Sequence, residues 1–195
     1  MNGRAERGQA TREHLVEVAT ELFGERGFEG TSIEAVLDAA RVSRGSLYHH
    51  FTNKESLFEA VFVAVEERIA QELATESFGA QGVIEGLRAG SLTWMRLAGD
   101  PLVQRIVLID APAVLGWERW RAIEEANALG GLKIAMQVAA SEGRIPAELA
   151  DPFAHTLLAT VNELAFVIAR SDDQSAAQEK ARAAVDEILN RLLGS

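Results

Sequence analysis

The segment of residues 31–57 constrains the fold of this chain more than any other part of it. It predicts two short helices that are joined by a tight turn and followed at once by a third. Thr31 and Glu34 have the spacing of a capping box, in which a hydroxyl and a carboxylate satisfy backbone N–H groups at a helix start. Apolar residues then recur every three or four positions, which gives the first helix one apolar face. The pattern therefore predicts a helix-turn-helix.

The second helix of this pair has an apolar side and a polar side. Ser43 is a good N-cap for it, and Leu47 and Phe51 are its inward residues. A short helix whose other side is small, basic and hydrogen-bonding is suited to enter the major groove of DNA. We therefore predict that this helix, the turn before it and the neighbouring helix starts supply the DNA-binding residues, which are Thr31, Arg41, Ser43, Arg44, Gly45, Ser46, Tyr48, His49 and Lys54.

Residue type and position suggest individual roles. Arg44, at the start of the second helix, is placed to contact a guanine edge through two hydrogen bonds. Gly45 lets the backbone approach the DNA closely. Lys54, near the N-terminus of the next helix, combines its own charge with the helix dipole to favour a phosphate. Thr31 is placed for a phosphate contact as well, although its capping role is enough to explain it.

The order of residues 42–57, Val-Ser-x-Gly-x-Leu-Tyr-x-His-Phe-x-x-Lys-x-x-Leu, closely resembles the TetR family of bacterial transcriptional regulators. The resemblance extends upstream to Thr11 and so covers roughly the first third of the chain. It implies that Tyr48 and His49 contact phosphates or thymine methyl groups. It also implies that His50 is a structural histidine, which packs rather than binds a ligand.

One position departs from the pattern of that family. Arg41 stands in the turn between the two helices, where these proteins usually carry a glycine. A Cβ atom is costly in the left-handed backbone conformation that this turn usually adopts. An arginine at this position also offers a contact to a DNA phosphate, and Arg41 is included in the predicted set for that reason.

The charge of the chain is distributed unevenly. Of the formal net charge of −10, residues 1–54 carry seven Lys/Arg and eight Asp/Glu (net −1), and residues 55–195 carry the remaining twelve and twenty-one (net −9). Proteins that bind nucleic acids usually have a basic footprint, so charge alone does not indicate DNA binding. The acidic remainder weakens non-specific binding, which is mostly electrostatic. The distribution is therefore compatible with a selective DNA-binding protein.

The hydrophobic periodicity predicts an all-α chain of about nine helices, because no segment has the pattern of a strand. We predict a helix-turn-helix DNA-binding domain of three helices over residues 1–54, and an effector-binding and dimerisation domain over residues 55–195. Gly27 ends the first helix. Thr52 and Glu55 have the spacing of a second capping box, which starts a long fourth helix that joins the two domains.

Composition limits the cellular setting. The chain has no cysteine, which excludes disulfides and thiolate metal sites and fits a reducing compartment. The polar N-terminus lacks the apolar segment of a signal peptide. The most apolar stretch, residues 153–169, is interrupted by polar residues, and we expect it to be too short and too polar to span a bilayer. We therefore expect a soluble, cytoplasmic protein with no membrane partner, no metal site and no cofactor.

Aromatic residues in the second domain suggest a ligand pocket. Aromatic residues at helical spacing more often belong to an ordinary core, so this pattern alone favours packing. Residues 108–117, however, are similar to one branch of TetR-type effector domains, and that resemblance implies a pocket. The predicted ligand-binding residues are Trp94, Met95, Trp117, Trp120, Asn162 and Phe166.

The last two helices predict a homodimer. A helix that is apolar nearly all round must be buried, and a seam of four helices formed with a two-fold mate is an economical way to bury it. The family resemblance implies the same arrangement. The predicted interface residues are Phe153, Leu157, Leu158, Val161, Leu164, Ile168, Val185, Ile188 and Leu192. His155, Asn162 and Glu163 interrupt the first of these helices, and the sequence leaves open whether they face the seam or a cavity.

The leading hypothesis is a ligand-responsive transcriptional repressor, which binds a pseudo-palindromic double-stranded DNA operator as a homodimer and is released by a small, largely apolar effector. One alternative is an α-helical small-molecule carrier or an enzyme without a DNA-binding role. The other is a transcriptional activator or protein-interaction module on the same fold. An enzyme is disfavoured because the sequence has no metal-ligand spacing, nucleophile elbow or phosphate-binding loop, and no paired carboxylates beyond ordinary surface charge.

Overall fold

The computed structural model describes residues 3–194, and none of these residues lies in a β-strand, which agrees with the all-α prediction. A π-helical turn (Gln104–Asp110) separates α6 from α7, and a 3₁₀ turn (Ala147–Leu149) precedes α10. The helices are α1 (Gly3–Gly30), α2 (Ile33–Ala40), α3 (Arg44–His50), α4 (Lys54–Ser77), α5 (Val83–Leu97), α6 (Pro101–Val103), α7 (Ala111–Leu115), α8 (Trp117–Ala126), α9 (Ala128–Ser141), α10 (Ala150–Ala169) and α11 (Gln174–Leu193).

The chain forms two compact units that are not divided at residue 54. The first unit contains the chain up to Val65 together with Pro101–Arg121, and the second contains residues 66–100 and the chain from residue 122 onward. Helices α4 and α8 therefore each contribute residues to both units. The first unit is larger than the predicted DNA-binding domain because α6 and the π-helical turn pack on α1, and α7 packs on the π-helical turn.

An aromatic cluster forms the core of the first unit. Phe23, Phe28 and Phe58 are all buried, and their ring centroids lie 5.1–5.9 Å apart. Gly27 takes a φ of 73° and ends the regular part of α1, as predicted, so that the chain turns and brings Phe28 against α4. Gly24 packs closely on α6, since a Cβ built at this position would lie 2.7 Å from the side chain of Leu102.

At both predicted capping boxes, the residue that caps the helix lies one position later in the sequence than predicted. The N-cap of α2 is Ser32, whose side chain accepts a hydrogen bond from the Ala35 amide at 3.1 Å. Thr31 is buried instead, and its hydroxyl donates to backbone carbonyl groups near the end of α1. At the start of α4, Asn53 accepts from the Ser56 amide at 2.7 Å, in the role expected of Thr52.

The second unit is a bundle in which α5 packs against α9, α10 and α11. Among the described residues, Ala147–Ala169 is the one stretch that is long and apolar enough to cross a membrane by length and composition. It includes the shorter stretch of residues 153–169, which we expected to be too short and too polar to span a bilayer. One side of α10 nevertheless packs on α9, α5 and α11, as in the core helix of a bundle. A third (33%) of an apolar 18-residue part of this stretch is buried within the chain.

Candidate nucleic-acid interface and ligand cavity

Helix α3 presents the predicted polar face to the surface. Ser43 caps it by accepting from the Ser46 amide at 3.2 Å, and Leu47 fixes its inner side with no exposed surface. The residues on the other side therefore point away from the core. Arg44, Gly45, Tyr48 and His49 are exposed, and Tyr48 keeps 44% of its surface although it is a large aromatic residue.

Arg41 adopts the left-handed conformation that is usually found at glycine. Its φ and ψ angles are 55° and 40°, and it is the one non-glycine residue with positive φ in the described part of the chain. As C-cap of α2, it donates its backbone N–H to the carbonyl of Leu37. Such a conformation costs a residue with a Cβ about 1–2 kcal/mol. The turn therefore keeps its geometry in spite of Arg41, whose side chain is exposed.

Arg44 has an acidic partner within the helix-turn-helix. Its Nη2 donates to Oε1 of Glu34 on α2 at 2.5 Å, and both side chains are more than half exposed. A backbone hydrogen bond and the neighbouring Arg44 both lower the pKa of Glu34, in that order of importance. Glu34 is therefore ionised at neutral pH. Because the pair uses only Nη2, the other N–H groups of Arg44 stay available for a base contact, for which Glu34 competes.

Thr31 and Lys54 both have hydrogen-bond partners within the first unit. Nζ of Lys54 donates to the carbonyls of Phe28 and Thr31 at 2.9 and 3.2 Å, and it lies 4.0 Å from the centre of the Phe28 ring. Thr31 is only 1% exposed. Both side chains satisfy carbonyl groups where α1 ends. The burial of Thr31 leaves it no surface for a phosphate contact, whereas Lys54 is half-buried and its phosphate role stays a prediction.

Asp110 is a structural residue of the first unit that our reading of the sequence missed. Its Oδ2, at the end of the π-helical turn, accepts the backbone N–H of Phe28 at 2.8 Å. The residue lies within the segment 108–117 whose similarity to TetR-type effector domains suggested a pocket. The similarity of this segment to effector domains was the one sequence signal at Asp110. In the structure, Asp110 does not mark a pocket but fixes the end of α1 through its hydrogen bond to Phe28.

Of the histidines of the first unit, His14 and His49 are exposed and His50 is half-buried. Nε2 of His14 lies 3.2 Å from the carbonyl oxygen of Ala40. The half-buried His50 packs beside His49 and Phe51, and burial, followed by the charges of His49 and Arg12, lowers its pKa. Among the described residues, no group of three or more His, Cys, Asp or Glu side chains is arranged to hold a metal ion.

The second unit contains a cavity of about 390 Å³ that is lined by α4, α5, α8, α9 and α10. Its wall is mostly apolar, with Leu87, Trp94 and Leu158 among its residues. The Nε1–H of Trp94 donates to Oδ1 of Asn162 at 2.7 Å, which fixes the indole and places Asn162 on the inner side of α10. Of the predicted ligand-binding set, Trp94 is the residue that lines the cavity.

The other predicted ligand-binding residues lie elsewhere. Trp117 is 63% exposed, and its ring centroid lies 5.0 Å from that of Trp120 in the first unit. Met95 is buried but does not line the cavity, and Phe166 lies beneath the guanidinium of Arg170. Helical periodicity alone could not assign these side chains to one pocket because it does not show which of the two units each residue joins.

Two buried carboxyl groups line the cavity, which our reading of the sequence did not predict. Glu66 on α4 is 2% exposed and Glu124 on α8 is 4% exposed. Burial, and then the charge of Glu124, raise the pKa of Glu66 to about 8, against a hydrogen bond from the Ala128 backbone that lowers it. Oε2 of Glu66 and Oγ of Ser91 have no hydrogen-bond partner. The expectation that the chain has no paired carboxylates beyond ordinary surface charge is therefore wrong for Glu66 and Glu124.

A sequence signal for Glu66 exists. Phe62, Ile69 and Leu73 precede or follow it by four, three and seven positions, so Glu66 interrupts the apolar face of α4 at helical spacing. A carboxylate on such a face has to be buried, exposed by fraying, or directed into a cavity, and here it lines one.

The predicted interface residues divide into two groups. Leu157, Leu158, Val161, Ile168 and Val185 are at most 7% exposed, so they belong to the core of a single chain. This is a correction, because buried side chains leave no surface for a second copy. Exposed or half-buried positions remain at Phe153, Leu164, Ile188 and Leu192, to which the structure adds Val167 with 52% exposure.

The three polar residues of α10 face different surroundings. Asn162 bonds to Trp94, whereas Glu163 is exposed. His155 is half-buried, and its Nε2 lies 3.6 Å from a carboxylate oxygen of Asp151.

Comparison with known protein families gives two matches. Residues 15–61 match the family described as bacterial regulatory proteins, tetR family, and residues 84–192 match the family described as tetracyclin repressor-like, C-terminal domain. The second match alone covers more than half of the 195 residues.

Curated relatives are similar over a short region. The chain is 37% identical over 68 residues to the HTH-type transcriptional regulator UidR of Escherichia coli, which is 35% of this chain and 35% of that protein. It is 47% identical over 45 residues to the HTH-type transcriptional repressor DhaR of a Mycobacterium species, which is 23% of each. The chain thus matches about a third or less of the length of these relatives.

Solved structures are similar over nearly the whole chain. A TetR-family transcriptional regulator from Pectobacterium atrosepticum is 29% identical, with a TM-score of 0.77 and 97% of each chain covered. The structure of AibR in complex with isovaleryl coenzyme A and operator DNA is 23% identical, with a TM-score of 0.65, and the match covers 94% of this chain and 98% of that one. The second likeness concerns the fold alone.

Proposed function

Because the chain belongs to the TetR family of bacterial transcriptional regulators, we propose that it is a ligand-responsive repressor. In this proposal it binds a pseudo-palindromic operator as a homodimer and leaves the DNA when a small effector occupies the cavity. It acts in the cytoplasm, where its DNA is, and it has no catalytic role. The observation that carries the proposal is the exposed polar face of α3.

The DNA-binding part of the proposal rests on local geometry. Arg41 and Arg44 place two positive charges at the N-terminal end of α3, and Tyr48 follows one turn later on the exposed side. A recognition helix contacts bases mainly through its N-terminal residues. We therefore propose that Arg44 contacts a base, that Arg41 and His49 contact the backbone, and that Tyr48 contacts a phosphate or a thymine methyl group.

The dimer part rests on apolar residues that the single chain leaves at its surface. Leu164, Val167, Ile188 and Leu192, on α10 and α11, are exposed or half-buried; we call these four residues the α10–α11 surface. Apolar residues that remain outside the core of one chain are suited to a two-fold contact with a second copy. A dimer supplies two α3 helices, one for each half-site of a pseudo-palindrome.

The effector part rests on the cavity. Its volume of about 390 Å³ lies within the usual range for small-molecule sites, and its wall is mostly apolar. The solved structure of AibR contains isovaleryl coenzyme A together with operator DNA, so a neighbour in fold binds both kinds of partner. The relative DhaR, which is described as a repressor, supports repression over activation.

The proposal is tested by footprinting the purified protein on the DNA beside its own gene. We expect two protected half-sites related by symmetry, and binding by fluorescence anisotropy that weakens steeply with salt. Tyr48→Ala should weaken this binding, whereas the matched variant Phe78→Ala, at a 92% exposed position outside α3, should not. Equal affinity for this DNA and for random DNA would contradict the proposal, and a reporter gene that is activated by the protein would favour the activator.

A further inference from the structure

The cavity of the second unit is apolar except for a few groups, and the most unusual of these is the carboxyl of Glu66. Glu66 is only 2% exposed, and its Oε2 has no hydrogen-bond partner. Burying a polar group without a partner costs several kcal/mol, so such groups are rare in native structures. An orphaned acceptor that lines a cavity is therefore a candidate contact for whatever fills the cavity.

We propose that this cavity is a binding site for a compact lipophilic cation, such as an amine or quaternary ammonium compound, whose positive group lies against Glu66 and whose apolar part contacts Leu87, Trp94 and Leu158. This inference rests on the proposed function, because it names the chemical class of the effector. It goes beyond the largely apolar effector expected from the sequence.

The charge around the cavity favours a cation over an anion. Glu66 and Glu124 are the two ionisable residues among those that line it in the described part of the chain, and no Lys, Arg or His is among them. A carboxylate or phosphate ligand would therefore meet no basic side chain among these residues. The formal net charge of the chain, −10, also raises the local concentration of cations.

The wall next to the carboxyl groups suits the apolar part of such a ligand. Trp94 is held by its hydrogen bond to Asn162, so its ring keeps one orientation, and indole is the best aromatic partner for a cation. Oγ of Ser91, which also lacks a partner, supplies one more polar contact. Leu158 and Val161 complete an apolar side on α10.

Binding of a cation should release a proton from the protein. In the empty cavity, burial and the neighbouring Glu124 keep the pKa of Glu66 at about 8, so Glu66 is protonated at neutral pH. A cation favours the ionised carboxylate and lowers this pKa. The affinity for a permanently charged ligand should therefore increase with increasing pH, by up to about tenfold per pH unit, until about pH 8. Above this pH the affinity should become constant.

The test uses phenyltrimethylammonium, which is charged at every pH, and tert-butylbenzene, its neutral isostere. We expect calorimetry on the full chain near pH 8 to give at least about tenfold tighter binding of the cation, as one charge contact allows. Buffers of different ionisation enthalpy should reveal proton release near pH 7. Equal binding of the two probes, or tighter binding of the anion octanoate, would overturn the proposal.

Variants separate the role of Glu66 from a general effect of charge. Glu66→Gln should abolish both the preference for the cation and its pH dependence, whereas Glu67→Gln, at the exposed neighbouring position, should preserve both. Glu124→Gln should shift the pH dependence to lower pH, because it removes a charge that raises the pKa of Glu66, and it provides a second test if Glu66→Gln does not fold. A pH dependence that is unchanged in both cavity variants would also overturn the proposal.

Operator binding without any probe tests the proposed function separately. A protein that binds its operator but shows no preference for phenyltrimethylammonium keeps the DNA-binding proposal and contradicts only the cation site. A protein that binds the cation but no specific DNA supports the cation site and contradicts the DNA-binding proposal.

Discussion

The guanidinium of Arg44 on α3 donates to the carboxylate of Glu34 on α2 at 2.5 Å, so the residue best placed to contact a base is paired within the protein before DNA arrives. The pair is exposed, and exposed ion pairs contribute little to stability because water and salt screen them. Glu34 is therefore a weak competitor of the DNA for Arg44. Glu34 also places a negative charge next to Arg44, within the helix-turn-helix that we propose lies against DNA phosphates.

Replacing Glu34 by Gln should strengthen DNA binding. We expect several-fold tighter binding to operator and to random DNA alike, because the change removes competition and repulsion without adding a base contact. Fluorescence anisotropy at two salt concentrations measures the effect. Glu17→Gln, which removes the same charge from an exposed position of α1, is the matched control and should change affinity less.

Arg44→Ala should instead act on sequence preference. We expect a loss of about 1–3 kcal/mol on the operator and relaxed preference at one base pair of each half-site. Competition assays with single-base variants of the operator measure both. An equal loss on random DNA would place Arg44 among the residues that contact phosphates.

Arg41→Gly should have opposite effects on stability and on DNA binding. Glycine adopts the left-handed conformation without the cost of a Cβ, so we expect the free energy of unfolding to rise by about 1 kcal/mol. Operator affinity should fall, and the salt dependence should drop by about one released ion. Arg41→Ala is the control, because it removes the charge but keeps the Cβ, and it should weaken DNA binding without the gain in urea stability.

Lys54→Met should act on folding more than on the salt dependence of DNA binding. The variant loses a charged donor to the carbonyls of Phe28 and Thr31, and hydrogen bonds to charged groups contribute about 1.5–3 kcal/mol each. We expect a lower urea midpoint, while Lys180→Met, at an exposed position of α11, should leave the midpoint nearly unchanged. A normal midpoint with a reduced salt dependence would support the phosphate role for Lys54.

Glu66 makes stability depend on pH in an unusual direction. Its pKa is raised from 4.5 to about 8 in the folded chain, so between these values the folded state binds more protons than the unfolded state. Stability from this group is complete below about pH 4.5 and is lost as pH rises toward about 8. Urea denaturation from weakly acidic to weakly basic pH should show a smaller fall for Glu66→Gln than for the unchanged chain. A parallel fall in both would mean that another group is responsible.

Val167→Glu and Leu157→Ala should separate the dimer contact from the core. Val167 is 52% exposed, so a glutamate there costs little in one chain but places an unpaired charge in the proposed contact. We expect monomers by light scattering, with weaker operator binding. Leu157 is 2% exposed, and its truncation should cost about 2–5 kcal/mol of stability through the cavity it leaves. A stable Val167→Glu dimer would place the contact elsewhere.

The helix-turn-helix was predictable because its signals are local. The Ser43 cap, the inward Leu47 and the exposed Arg44 and Tyr48 all follow from spacing within one short segment. The capping boxes failed by one residue for a non-local reason. Thr31 is drawn inward by carbonyls at the end of α1, and Ser32 is left to cap α2.

The cavity could be predicted only in part. Trp94 and Asn162 were both among the predicted ligand-binding residues. Their hydrogen bond could not be predicted, because the two residues are 68 positions apart in sequence and lie on different helices. Trp117 and Trp120 look equivalent to Trp94 in composition, yet they join the first unit because α8 changes unit after Arg121. Glu66 was not predicted to line the cavity, because its burial depends on how α4 packs and not on the sequence of α4 alone.

The first unit is discontinuous in sequence, and this has a consequence for synthesis on the ribosome. Its core needs Leu102 beside Gly24 and Asp110 at the amide of Phe28, so the N-terminal helices lack part of their own packing until residue 121 has been made. Domains usually fold as units in the order of synthesis, but here residues 66–100 of the second unit emerge before the first unit can close. A nascent chain that is arrested before α6 should therefore expose the aromatic cluster to proteases and chaperones, although every residue of α3, the helix that we propose contacts DNA, is already present.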